Sequence, residues 1–256
     1  MFSFFKNVIN QAIPSNLSNA TYDYSACLNN ENFNYLKTQG SDGLLITCEK
    51  LKKKNILNDE NFNFIKQYGG IDNLLAVINI LEKHNLLTNE NFNFIKQSLS
   101  YRKFSYAVEM IILLENNQVF NKENFYAMKD AGLVLASNNE KRISEVTEKE
   151  VGIAPKDTLS NKMIVILSLM TLLDEKKALN NDTYNRLIRL QMQDVVPVGK
   201  IFKFYSETNL TNSANFTRTL NLLSPSEALK TIMQCNNQKK VDSFFNDLQP
   251  SYSLRP

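Results

Sequence analysis

NDENFNFIKQ (58–67) and TNENFNFIKQ (88–97) stand thirty residues apart and differ at only two positions. Aligned on the phenylalanine, the pattern continues outward. NNENFNYLK places Phe33, the two quoted copies place Phe62 and Phe92, and NKENFYAMK places Phe125. The spacings of 29, 30 and 33 residues mark a repeat whose unit is about the length of a helical hairpin. Every copy carries the same physical instructions. An apolar residue (Leu28, Leu57, Leu87, Phe120) precedes a capping type (Asn29, Asn58, Thr88, Asn121) whose side-chain oxygen can accept an orphan N–H of a starting helix. A glutamate follows two residues later (Glu31, Glu60, Glu90, Glu123), where the positive end of the helix dipole favours it. The phenylalanine then falls on the fourth helical residue, where it can pack on the apolar residue before the cap as a hydrophobic staple. The quoted stretch is therefore a helix-start device, and Phe33, Phe62, Phe92 and Phe125 are expected in the core.

The same grammar yields fainter copies. Val146-Thr147 to Val151 holds a staple pair and a Thr-x-x-Glu box, and Leu179-Asn180 to Tyr184 holds the staple with tyrosine. Asn215-Phe216 follows Leu210-Thr211 one residue late. Between anchors the apolar residues recur with helical period, over 70–85 and 104–117. Further helices are expected near 158–177, from Pro197 to 207, from a capping box at Ser224-Pro225-Ser-Glu227, and over 241–248. Only 7 glycines and 6 prolines in 256 residues agree with an all-α chain. The predicted fold is all-α: stacked helical hairpins of about 30 residues, a right-handed α-solenoid similar to tetratricopeptide superhelices, or a compact α–α repeat domain. The predicted organisation is an N-terminal cap over 1–24, repeats over 25–136 and 137–249, and a loose tail over 250–256. The polar stretch SNNEKRISE (137–145) is the candidate hinge.

Composition narrows the chemistry. A net charge of +3 from 29 basic and 26 acidic residues does not point to nucleic acid. Cys27, Cys48 and Cys235 are too scattered for a zinc knuckle or disulfide framework, and read as free thiols of a reducing compartment. The first residues, MFSFFKNVINQAIP, lack a continuous apolar stretch, so no secretory leader is predicted. The longest apolar run, 163–173, is too short to span a bilayer. His84 is the single histidine, and the repeat equates it with Lys54 and Asn117, so it reads as a polar helix end. A Ser–His or Cys–His site would need it. Neither phosphate-cradle motif occurs. No catalytic, cofactor-binding or metal-ligating residue is assigned.

One polar feature repeats. Positions one, four and five after each phenylalanine share a helix face and read Asn34-Lys37-Thr38, Asn63-Lys66-Gln67, Asn93-Lys96-Gln97 and Tyr126-Lys129-Asp130. Stacking would make them a solvent-facing ladder. Lys37, Asn63, Lys66, Gln67, Asn93, Lys96, Gln97 and Lys129 are the candidate partner-binding residues, with an acidic segment of another protein as the expected partner. Two alternatives stay open: an enzyme whose site lies in 131–160, and an RNA-binding helical repeat using one polar pair per rung.

The L-[NT]-x-E-N-F-x-x-[IL] grammar over residues 25–220 resembles helical-repeat effectors that intracellular Gram-negative bacteria inject through Dot/Icm type IV secretion systems. The tail SYSLRP, with Leu254 third from its end, is similar to the C-terminal translocation signals of those effectors. The resemblance implies delivery to the host cytosol and a role in virulence. It also implies binding of a host protein or of another effector, which such a metaeffector would regulate.

Overall fold

A computed structural model describes residues 24–98, 105–133, 161–208, 210 and 212–252. Among them the regular structure is thirteen α-helices, with no β-strand. The chain forms two compact units, Met1–Ile112 and Leu113–Pro256. Their division falls inside a helix, whereas the sequence reading put a division at 137–145. That segment lies outside the described residues, as do residues 1–23 of the cap expected over 1–24, the Val146–Val151 copy and the end of the tail from 253.

The first unit holds α1 (Asn30–Gln39), α2 (Asp42–Lys53), α3 (Asp59–Gln67), α4 (Ile71–Lys83), α5 (Asn89–Gln97) and α6 (Tyr106–Asn116), the last crossing the division. Short and long helices alternate, and like packs on like: α1 on α3, and α2 on α4. Short helices need tertiary support, because a nine-residue helix such as α3 is marginal alone. That support comes from a buried stripe: Phe62, Leu74, Ile78, Leu81, Phe92 and Ile95 are all inaccessible. Aromatic edges link successive hairpins. Tyr35 meets Phe62 edge-on at 6.2 Å, and Phe64 meets Phe92 at 5.8 Å. Phe33, expected in the core, is only half-buried. It lies on the first described helix, where α3 is the one short helix packed against α1.

The second unit holds α7 (Lys122–Leu133), α8 (Asn161–Glu175), α9 (Asn181–Ile188), α10 (Met192–Glu207), α11 (Ser213–Leu220), α12 (Pro225–Ile232) and α13 (Gln238–Tyr252). Here α9 lies between α7 and α11, and α10 packs on α8 and α12. Phe125, Tyr184 and Phe216 are inaccessible. Pro197 does not open a helix; α10 begins five residues earlier and carries Pro197 inside it. Val195, Val198, Ile201, Phe202 and Tyr205 form one buried stripe across the proline, and this burial outweighs the hydrogen bond that proline forgoes. Nor does Ser224 form a capping box. Its side chain accepts no hydrogen bond, and only the expected proline in the first turn is present. The last helix reaches Tyr252, three residues into the segment read as a loose tail.

The junctions between hairpins follow one pattern. Asn55, Asn85, Gln118 and Lys177 have φ between 52° and 58°, the left-handed conformation that ends a helix. In the first, the Ile56 N–H bonds back to the Leu51 carbonyl and the Asn55 N–H to Lys52, a Schellman closure. Three residues after Asn55 comes the N-cap Asn58, whose side chain accepts from the Asn61 N–H at 2.9 Å. Thr88, Asn121, Asn180 and Asn212 cap their helices in the same way. In this register the last junction is not one residue longer than the others, as the sequence suggests. Asn212 is its cap, and Leu210 stands where Ile56 stands in the first.

Candidate functional site

The asparagine that precedes the staple phenylalanine, third in its helix, is buried at Asn32, Asn61, Asn91, Asn124 and Asn215. At four of them Nδ2 turns back to the carbonyl five residues earlier: Asn61 to Ile56 at 2.6 Å, Asn91 to Leu86 at 2.8 Å, Asn124 to Val119 at 2.7 Å and Asn215 to Leu210 at 2.8 Å; Asn32 donates to Asp59 Oδ1 at 2.7 Å. Thr183 does the same with its hydroxyl to Ala178. One side chain thus ties the end of one helix to the start of the next, and satisfies a carbonyl that burial would otherwise leave costly. The sequence carried a signal for this role. The staple explains the phenylalanine but not why asparagine precedes it in every close copy.

At Asn32 and Asn61 the amide oxygen receives the repeated lysine of the following hairpin. Lys66 Nζ lies 3.3 Å from Asn32 Oδ1 and 5.1 Å from the centre of the Tyr35 ring. Lys96 Nζ lies 2.6 Å from both Asn61 Oδ1 and Glu60 Oε1, and its side chain is only 13% exposed. The expectation that Lys66 and Lys96 point into solvent is therefore corrected. Their helix face turns toward the preceding hairpin, where a buried amide oxygen, a carboxylate and an aromatic ring compete successfully with water for the ammonium. Lys37 is exposed. Lys129, in the second unit, is half-buried with its Nζ 5.8 Å above the Tyr126 ring.

The acidic partners feel these contacts. Hydrogen bonds from the Asn29 backbone, then from the Asn32 amide, hold the Asp59 carboxyl below the ordinary aspartate range. The hydrogen bond and charge of Lys96 hold Glu60 below the ordinary glutamate range.

What remains open on this face is neutral. Gln67 and Gln97 are exposed, and Asn63 and Asn93 are half-buried. Among the described residues these four amides take no part in a hydrogen bond. A groove of about 370 Å³ runs between α3 and α5. Glu60 and Asn61, with the cap Asn58 at the edge, form one wall; Asn89, Asn93, Lys96 and Gln97 form the other. Its one cation and one carboxylate neutralise each other. The walls hold no thiol, hydroxyl or imidazole, so the groove can donate and accept hydrogen bonds but offers no nucleophile.

Other reactive groups lie elsewhere. His84 is the C-cap of α4. Burial pushes the Cys48 thiol up to about 12, which keeps it protonated and inert. A second groove, of about 430 Å³, lies in the second unit beside the Asp182–Arg186 ion pair, with Arg189 and Asp194 on its wall. Burial raises the Asp194 carboxyl above the ordinary range. No sequence motif announces this groove, because its residues come from three helices and an intervening turn. Among the described residues no group of three or more His, Cys, Asp or Glu could hold a metal ion. No described helix is long and apolar enough to cross a membrane. No family model, curated protein or solved structure matches this chain.

Proposed function

We propose that the chain is a non-enzymatic protein-interaction module, each unit a stretch of stacked hairpins of the α-solenoid kind. The observation that carries this reading is the polar face of the first unit, repeated hairpin by hairpin, with the amides of α3 and α5 open while Lys66 and Lys96 are engaged. Stacked hairpins lend themselves to such extended surfaces, since each repeat presents equivalent side chains at a regular interval. The resemblance of the L-[NT]-x-E-N-F grammar and of the SYSLRP tail to Dot/Icm effectors supports a setting. There the chain would enter a host cell and bind a host protein or a second effector. The test is affinity capture with the full chain from host-cell lysate and from cells co-expressing candidate effectors. Recovery of one stoichiometric protein through a high-salt wash is expected. Recovery of none, or of nucleic acid alone, overturns the reading.

A further inference from the structure

The polar face of α3 and α5, on which Asn93 and Gln97 line the groove while Asn63 and Gln67 lie outside it, restricts what kind of protein segment could lie across it. A partner recognised by its charges would need unpaired charges here, yet Lys96 is committed to Glu60 and Asn61, and Lys66 to Asn32. The groups left over are Asn63 and Gln67 on α3 and Asn93 and Gln97 on α5. A carboxamide offers one acceptor oxygen and two donor hydrogens on a planar group. The chemical complement of a row of carboxamides is another amide: the peptide unit of a main chain. A helix or a strand already within a sheet has used its peptide groups, so the segment must be extended and unpaired.

Spacing sharpens the match. Packed helices stand about 8–10 Å apart, so equivalent amides on α3 and α5 repeat at about that interval. A β-strand returns a side chain to the same face about every 6.6–6.8 Å, two residues at its rise. A polyproline II chain returns every third residue, about 9.3 Å. It also leaves its carbonyls unbonded, free to accept from Asn and Gln. We infer that the Asn63, Gln67, Asn93 and Gln97 face binds the main chain of an extended, polyproline II-like segment of a partner protein, in register at three residues per hairpin. This rests on the interaction-module reading, and names the conformation and the chemistry the partner must present. Binding by neutral amides would respond weakly to salt, unlike phosphate binding, which falls steeply with it.

The probe is a random twelve-residue peptide library displayed on phage and selected against the full chain. Three outcomes are expected together. Enriched peptides show a residue preference repeating every third position. Their synthetic forms bind at least tenfold more weakly to the variant carrying Asn63→Ala, Gln67→Ala, Asn93→Ala and Gln97→Ala. Their affinity changes less than twofold between low and high salt. Circular dichroism and melting of the variant verify that its fold is retained; should it be lost, Gln67→Ala with Gln97→Ala, both at exposed positions, replaces it with the same tenfold criterion. No enrichment, a two-residue period, or equal binding to the variant overturns the inference. So does single-stranded RNA binding to this face with steep salt dependence, measured alongside. A protein captured from lysate equally well by wild type and variant would leave the interaction module standing and remove this site from it.

Discussion

Asn61 and Asn91 concentrate the tightest constraint of the first unit in single side chains. Both donate for the turn and Asn61 also accepts for stacking, and each is buried, so these bonds cannot be handed to water. Removing the amide strands a buried carbonyl, a loss of about 1–3 kcal/mol. Asn61→Ala and Asn91→Ala should each lower the stability measured by urea unfolding by that order, whereas His84→Ala should stay within about 0.5 kcal/mol. Glu109 on α6 gives a contrasting residue. Burial raises its carboxyl above the ordinary range. A raised folded value means that its contribution to stability is fully present below its unfolded value and is lost as pH rises through the folded one. Glu109→Gln should therefore raise the melting temperature at pH 7, and the gain should vanish below about pH 4, where the unfolded glutamate is itself protonated. Asp59 and Glu60 act in the opposite sense: their depressed values favour the fold at neutral pH, and that contribution fades as acid protonates them.

At the scale of the helix, the junction is the unit of design. Its two ends were unequally legible. The N-caps Asn29, Asn58, Thr88 and Asn180 could be read directly, because capping depends on residue type at a local position. Ser224 shows the limit of that logic: the right residues stand in the right order, but its backbone takes φ −133°, ψ 77° and the hydroxyl caps nothing. The start of α10 was illegible because tertiary burial of Val195 overrode a local signal at Pro197. The left-handed residues were also missed, since two of the four, Gln118 and Lys177, are types that avoid that conformation. They hold it against a penalty that glycine would not incur. Gln118→Gly and Lys177→Gly should leave stability unchanged or raise it by up to about 1 kcal/mol, while Asn55→Ala should lower it. Thermal melts of the three variants read the sign directly.

Over the whole molecule, the period of thirty residues made the helical hairpins legible, but the ladder was misread. Helical spacing placed Lys66 and Lys96 on one face correctly; what it could not show is that this face looks toward the previous hairpin. That depends on how hairpins turn against one another, which no local pattern encodes. The correction carries a prediction about the first unit. The stretch from Asn58 to Leu87 contains one cap, one staple phenylalanine, one back-bonding asparagine and one reaching lysine. A second copy inserted after Leu87 should find its own Lys–Asn partner on each side. Because repeat stability grows approximately as a sum of units and interfaces, the lengthened chain should be at least as stable as the parent and show a larger urea dependence of unfolding. A less stable, non-cooperative product would mean that the hairpins are not interchangeable.

The seven-residue junction from Asn55 to Asn61 holds both the end of one helix and the start of the next. Its counterpart from Asn85 to Asn91 holds the same set. If two copies of the gene mispair here and recombine, a crossover within one junction rejoined at the equivalent codon of the other rebuilds a complete junction. The product gains or loses thirty codons, stays in frame, and leaves no helix end without its caps. The near-identity of NDENFNFIKQ and TNENFNFIKQ is the substrate for such an exchange, and the geometry of the junction would let its product fold.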